Sequence, residues 1–258
     1  MSEKVKMLSE NLIFEGLKTN GVNCDIKVFE EIDSTNLEAK RMANAIGNEE
    51  VLLLAESQTH GKGRMGRSFY SPQNTGLYMS YMYTPKTLFS DSVTVTAATS
   101  VAVVRAIEAL TDLKPQIKWV NDIYVDGKKV CGILTEAVTG KTVKIIVGIG
   151  VNITTEDFPD DINKIAASLK KPLYRNALAV RIITELKKLI DELPQRTFLS
   201  DYRKKSCVLG QEVRFFKSGN EFHGTAIDID SDGGLVVQTQ NGTVTLNTGE
   251  ISLRFNRS

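Results

Sequence analysis

The chain has 258 residues, enough for one large domain or a medium domain with a small appendage, and either buries a substantial core. Its 41% hydrophobic and 24% charged content is ordinary for a globular protein, and 32 Lys plus Arg against 31 Asp plus Glu leave a net charge of +1, so no global field selects a polyanionic partner. Cys24, Cys131 and Cys207 lie far apart with no CxxC pair, so neither a disulfide framework nor a thiolate zinc site is suggested, which suits a reducing cytosol.

The N-terminus lacks the cation-then-apolar pattern of an export signal, and no run of about 18 residues is free of polar side chains. Leu8, Leu12, Ile13 and Leu17 recur near helical spacing and Gly21 follows as a stop, which predicts a helix over 7–20. Ile26 and Val28 alternate in a strand over 24–32 that runs into Asp33-Ser34-Thr35-Asn36. Thr35 and Glu38 have capping-box spacing ahead of a helix carrying Leu37, Ala39, Met42 and Ala43. Two readings of Ser34, Thr35 and Asn36 stand at this point: a helix start, or hydroxyl, amide and free N–H groups facing a polar ligand.

Residues 51–55 are continuously apolar, as in a strand buried on both faces, and lead into Gly61-Lys62-Gly63-Arg64-Met65-Gly66-Arg67. Three glycines and three cations so close together are incompatible with a buried strand or helix interior and indicate a loop that closes on negative charge. Pro72, Asn74 and Gly76 mark turns before a strand over 77–83. Ser90, Asp91 or Ser92 can cap a buried helix that runs to Thr111, with Pro115 beyond its exit. A strand over 117–120 ends at Asn121-Asp122. A hairpin follows about Asp126-Gly127, whose residues suit a type I′ turn, and a second about Thr139-Gly140 ends in the 148–153 segment.

Residues 161–206 read as helical, most clearly over 177–193, with Lys187 and Lys188 on the solvated face. Past Cys207 short alternating runs separated by turn signals indicate a small barrel, so the expected domains are 1–206 and 207–258.

Gly61, Gly63 and Gly66 match the dinucleotide pattern G-x-G-x-x-G, but turn residues and a strand follow where that fingerprint needs a helix. No kinase catalytic sequence exists, and Gly140-Lys141-Thr142 has Thr135 where a phosphate loop needs its first glycine. His60 and His223 are the only histidines and no G-x-S-x-G elbow occurs, which excludes a histidine-rich metal site and an elbow-type serine hydrolase. What survives is a cationic lid over phosphate or carboxylate, or an Arg-Gly segment touching RNA. Lysines, amides and glycines then recur at successive strand ends: Lys118-Trp119-Val120-Asn121-Asp122, Lys129 with Gly132, and Gly148-Ile149-Gly150-Val151-Asn152.

Together with Asp33–Asn36, Gln58, the 61–67 loop and a closing 249–253 segment, these stretches resemble the biotin protein ligases, also called biotin-[acetyl-CoA-carboxylase] ligases, over nearly the whole chain. The resemblance implies an α+β fold, with a mixed sheet flanked by helices and a C-terminal SH3-like barrel. It implies an ATP-dependent enzyme that makes biotinyl-5′-AMP and transfers biotin to a lysine of a biotin carboxyl carrier domain. Ser34, Thr35, Asn36, Gln58, Gly61, Gly63 and Gly132 would serve biotin, and Lys62, Arg64 and Lys129 both biotin and catalysis. Arg64, Arg67, Phe69, Lys118, Trp119, Asn121, Asp122, Lys129 and Asn152 would serve ATP, with Mg2+ near Asp122.

Two positions depart from the family pattern: Lys62 stands for an arginine, exchanging a planar fork for a point charge, and Val120 stands for a proline, relaxing the local turn. Family members that also repress transcription carry a winged helix-turn-helix ahead of the catalytic part, and with 33 residues before Ser34 no DNA binding is expected. The expected assembly is a monomer or homodimer in the cytoplasm, off the membrane. A lipoate or octanoyl transferase and an RNA-binding module are the competing readings.

Overall fold

The structure is a computed structural model and describes residues 7–86, 92–171, 174–217, 220–247 and 251–253. The cap candidates Ser90 and Asp91 and the first two residues of the 249–253 segment lie outside them. In chain order the elements are α1 (Glu10–Thr19), β1 (Asp25–Ile32), α2 (Thr35–Met42), β2 (Val51–Gln58), β3 (Gly76–Tyr83), α3 (Ser92–Leu110), β4 (Gln116–Lys118), β5 (Asp122–Val125), β6 (Lys128–Thr139) and β7 (Val143–Asn152). Then follow α4 (Arg175–Asp191), α5 (Phe198–Lys205), β8 (Glu212–Lys217), β9 (Asn220–Ile229), β10 (Leu235–Thr239), β11 (Gly242–Leu246) and β12 (Ile251–Leu253).

Seven strands make one sheet in the order β1-β2-β3-β7-β6-β5-β4, in which only β1 and β2 run parallel. Alternation sorts its residues between two faces. Leu52, Leu54, Tyr81, Val147 and Ile149 join the large core formed with α1, α3, α4 and α5, whereas Val51, Leu53, Met82 and Ile146 meet Ala39 of α2 and Ala43 at its C-cap. Helix α2 is short and covers only part of its face, and the uncovered part is where the cavity described below opens. Helix α3 is long and apolar enough to cross a membrane, but it is buried between the sheet and α4.

The C-terminal strands form a second, antiparallel sheet in the order β11-β10-β9-β8-β12, the SH3-like part of the fold. Its β9–β10 turn docks on the first body: Trp119 Nε1 donates to Gly233 O at 3.0 Å, Thr94 Oγ1 to Asp232 O at 3.2 Å, and Arg203 Nε to Ile229 O at 2.8 Å.

Three local expectations are corrected. Thr35 and Glu38 form no capping box: Ser34 is the N-cap without a side-chain bond, Thr35 turns its hydroxyl to Gln58 and Ser80, and Glu38 pairs with Arg41. Tertiary partners outcompete the local cap here. The 161–206 stretch holds two helices broken by a 3-10 turn with Pro194 near its start, while residues 160–165 form turns and Ala166 bridges to Lys129. Lys187 is not merely solvated, because its Nζ pairs with Glu50 at 2.5 Å, and Glu50 also accepts from Tyr81 Oη.

Candidate active site

Alternation on β3, β7 and β6 lines up Ser80, Gly148, Gly150, Gly132 and Leu134 on the uncovered face, with Gly132 opposite Gly150 and Leu134 opposite Gly148. The glycines lower the floor, and each hollow is filled by another element. A Cβ at Gly148 would collide with Asn36 Oδ1, and one at Gly150 would lie 2.5 Å from the Phe69 ring. One at Gly132 would lie 3.2 Å from Lys129 Nζ. A cavity of about 300 Å³ results, closed from above by residues 62–64 and 67–69.

Lys129 and Gly132 are three residues apart and should face opposite sides of a regular strand. Both line the cavity because the β5–β6 register shifts after Ile123: Ile123 pairs with Cys131 but Tyr124 with Lys129, leaving Val130 as a bulge. Lys129 is also gripped through its backbone, its N–H donating to Ile165 O at 2.9 Å and its carbonyl accepting from Ala167 N at 2.8 Å. Its Nζ lies 2.7 Å from Asp122 Oδ1, a charge contact without hydrogen-bond geometry, since that buried oxygen has no hydrogen-bond donor aimed at it.

The loop is a tight hairpin: Gly63 N donates to Arg67 O at 2.7 Å, and Met65, at φ 55°, and Gly66, at φ 74°, turn the chain. Arg64 Nη1 donates to Asn121 Oδ1 at 3.1 Å, and Asn121 in turn donates to Ile133 O at 2.9 Å. At the opposite end Gln58 Oε1 accepts from Thr35 N at 2.9 Å and Gln58 Nε2 donates to Ser71 Oγ at 2.9 Å, which fixes the amide orientation. Lys118 Nζ stands 5.4 Å from the Tyr124 ring centre and donates to the Tyr124 hydroxyl at 3.4 Å, and burial pushes that hydroxyl well above its ordinary pKa.

The structure thus brings together Ser34, Thr35, Asn36, Gln58, Lys62, Gly63, Arg64, Arg67, Phe69, Lys118, Trp119, Asn121, Asp122, Lys129 and Gly132. Two expected residues are not on the wall. Gly61 is a close-approach position, where a Cβ would collide with Phe69 O, and Asn152 donates to Ala167 O at 3.1 Å, holding the segment that grips Lys129. Trp119 reaches the wall but is largely buried, its indole N–H spent on Gly233 and the peptide to Val120 cis. Val120 is itself buried and its carbonyl accepts from Tyr202 Oη at 3.1 Å. Sequence reasoning did not single out the lining residues Tyr124 and Ile165. Nothing local marks them, because Tyr124 sits inside a strand pattern and Ile165 inside a stretch read as helix.

Among the lining residues five cations, Lys62, Arg64, Arg67, Lys118 and Lys129, face one carboxylate, Asp122. Among the described residues no group of three or more His, Cys, Asp or Glu could cage a metal ion.

Residues 28–152 match the biotin/lipoate A/B protein ligase family and residues 208–254 the biotin protein ligase C-terminal domain. The bifunctional ligase/repressor BirA of Bacillus spizizenii is 32% identical over 97% of this chain and 81% of its own length. A biotin--[acetyl-CoA-carboxylase] ligase of Mycobacterium tuberculosis is 28% identical over 88% of each chain. The biotin protein ligase of Aquifex aeolicus, solved in complex with biotin and ATP, superposes with a TM-score of 0.78 at 29% identity over 89% of this chain and 98% of that one. The two domain matches, the 32% identity over nearly the whole chain and the shared fold place this chain among the biotin protein ligases of the biotin/lipoate A/B protein ligase family.

Proposed function

We infer that this chain activates biotin with ATP as biotinyl-5′-AMP and passes biotin to a lysine of a biotin carboxyl carrier domain. One observation carries the reading: the cavity has an uncharged hydrogen-bonding end, at Thr35 and Gln58, and a cationic end, at Arg64, Lys118 and Lys129, as a neutral ring with a carboxylate tail beside a triphosphate requires.

A carboxylate and a triphosphate repel one another. Lys129, Arg64 and Lys62 neutralise both while a biotin carboxylate oxygen attacks the α-phosphorus and pyrophosphate leaves in line. Asp122 is the protein group suited to a Mg2+ carried in on ATP, where the ion supplies charge neutralisation of the phosphates. Arg67 and Lys118 take the remaining phosphate charge, and Phe69 and Trp119 present ring surfaces to the base. The mixed anhydride then stays under the 61–67 hairpin, away from water, until an acceptor lysine amine attacks the acyl carbon and AMP departs with the anhydride oxygen. The free Cys24, Cys131 and Cys207 suit a reducing cytoplasm.

Incubation with ATP, Mg2+ and biotin should yield biotinyl-AMP and pyrophosphate, and addition of a carrier domain should consume the adenylate. Adenylation of lipoate in preference to biotin would overturn the assignment.

A further inference from the structure

At the cationic end of the cavity the Tyr124 hydroxyl keeps an uncommitted proton. On β5 the side chains of Ile123 and Val125 are buried in the large core, so alternation turns Asp122 and Tyr124 to the cavity face. Tyr124 pairs with Gln116 of β4 on one side and, through the register shift, with Lys129 of β6 on the other. It therefore stands between the strand that carries Lys118 and the strand that carries Lys129.

The two amines are held differently. Lys129 Nζ has a carboxylate, Asp122, at 2.7 Å, whereas Lys118 Nζ lies against the Tyr124 ring and donates to its hydroxyl oxygen at 3.4 Å. A phenol that accepts this bond still has its own proton. Among the described residues no acceptor takes that proton. Burial, and after it the negative charge of Asp122, raises the Tyr124 pKa, so the proton is retained at neutral pH.

The order of the strands gives this hydroxyl a direction. Across the sheet, β3-β7-β6-β5-β4 leads from Ser80, which is bonded to Thr35, to Lys129 on β6, then Tyr124 on β5 and Lys118 on β4. Neighbouring strands are about 5 Å apart, so Tyr124 and Lys118 lie about one and two spacings beyond Lys129, away from the uncharged end. In an in-line displacement at the α-phosphorus the leaving group departs on the side opposite the attacking carboxylate. With the biotin head group at Thr35 and Gln58 and its carboxylate at Lys129, that side is β5 and β4.

We propose that Tyr124 is a pyrophosphate-binding residue: its hydroxyl donates to a β- or γ-phosphate oxygen of ATP, and its ring and oxygen hold the Lys118 amine against the same group. This rests on the biotin-activating reading above and deepens it. The bond between the α-phosphorus and its bridging oxygen breaks and the electron pair leaves with pyrophosphate. The Tyr124 proton stays on Tyr124, and its hydrogen bond stabilises the charge that collects on the leaving group.

Tyr124→Phe keeps the ring and removes only the hydroxyl. It is compared with wild type in three reactions: ATP synthesis from biotinyl-AMP and pyrophosphate, forward adenylation, and transfer of biotin from supplied biotinyl-AMP to a carrier domain, which involves no pyrophosphate. Loss of one hydrogen bond to a charged group should raise the KM for pyrophosphate and the KM for ATP about tenfold each. Biotin affinity by titration, the folding control, and the transfer step should stay near wild type. Tyr124→Leu, which also removes the seat of Lys118, should raise the same two constants further and gives a second reading if Tyr124→Phe is poorly folded. An unchanged KM for pyrophosphate in either folded variant, or a transfer step that falls as much as adenylation, overturns the proposal and leaves the biotin assignment intact. A wild-type chain that forms no biotinyl-AMP overturns both.

Discussion

The Phe69 ring occupies the space a side chain would need at Gly150, with Cε1 only 2.5 Å from where a Cβ would stand. The ring is held from its other side by an edge contact to Tyr78 at 6.3 Å between centres. Gly150→Ala therefore cannot be absorbed without moving the ring off the cavity floor. We expect a stability loss of about 1–3 kcal/mol in chemical denaturation and a raised KM for ATP. An unchanged KM for ATP would separate Phe69 from the nucleotide.

Lys129 is the cation that the Val130 bulge aims into the cavity. Lys129→Ala should lower biotinyl-AMP formation about 100- to 1,000-fold, as expected for loss of a preorganised charge, while biotin alone still binds at the Thr35–Gln58 end. Pyrophosphate release followed in single turnover, with titration of biotin as the folding control, reads both effects. Near-normal adenylation would remove Lys129 from the chemistry.

Lys62 is exposed on the hairpin and meets phosphate as a point charge. Lys62→Arg should add a bidentate contact and slow the release of biotinyl-AMP about threefold to tenfold, seen as a longer-lived complex after gel filtration. A faster release would mean that the hairpin is held by something other than its cations.

Stability should fall steeply above about pH 9. Burial pushes the Cys24 thiol up from 9.0 to about 12 and the Tyr78 hydroxyl up from 10.0 to about 12, and it raises Tyr81, Tyr83, Tyr202 and Cys131 as well. Each of these groups keeps its proton when folded and releases it when unfolded. The stabilisation is therefore complete below the unfolded-state pKa and is lost as pH rises toward the folded one, at about 1.4 kcal/mol per pH unit per group. Thermal unfolding between pH 8 and 11 measures this, and Cys24→Ala should flatten the part of the fall that begins near pH 9.

Much of this architecture can be read from the chain. The apolar run of β2, the hairpin turn at Asp126-Gly127, where both residues have positive φ, and the texture change past Cys207 each follow from local chemistry. What escapes reading is set by distant partners. The Thr35–Glu38 spacing promises a cap, but Ser80, 45 residues away, claims the Thr35 hydroxyl. The Val130 bulge exists because β5 pairs out of step, which no property of Val130 announces. Asn152, next to the glycines of β7, turns its NH2 to Ala167 O, a bond that only the folded chain reveals.

The contact between Lys129 and Asp122 also bears on what an empty cavity does among the many small anions of a cell. The lysine already has a counter-ion at 2.7 Å, so a stray phosphate or sulfate must compete with a tethered carboxylate that loses no translational freedom by staying. At that lysine, a ligand that brings a cation of its own for Asp122 has less to displace than a bare anion. Removal of the carboxylate should therefore tighten the binding of simple oxyanions at Lys129.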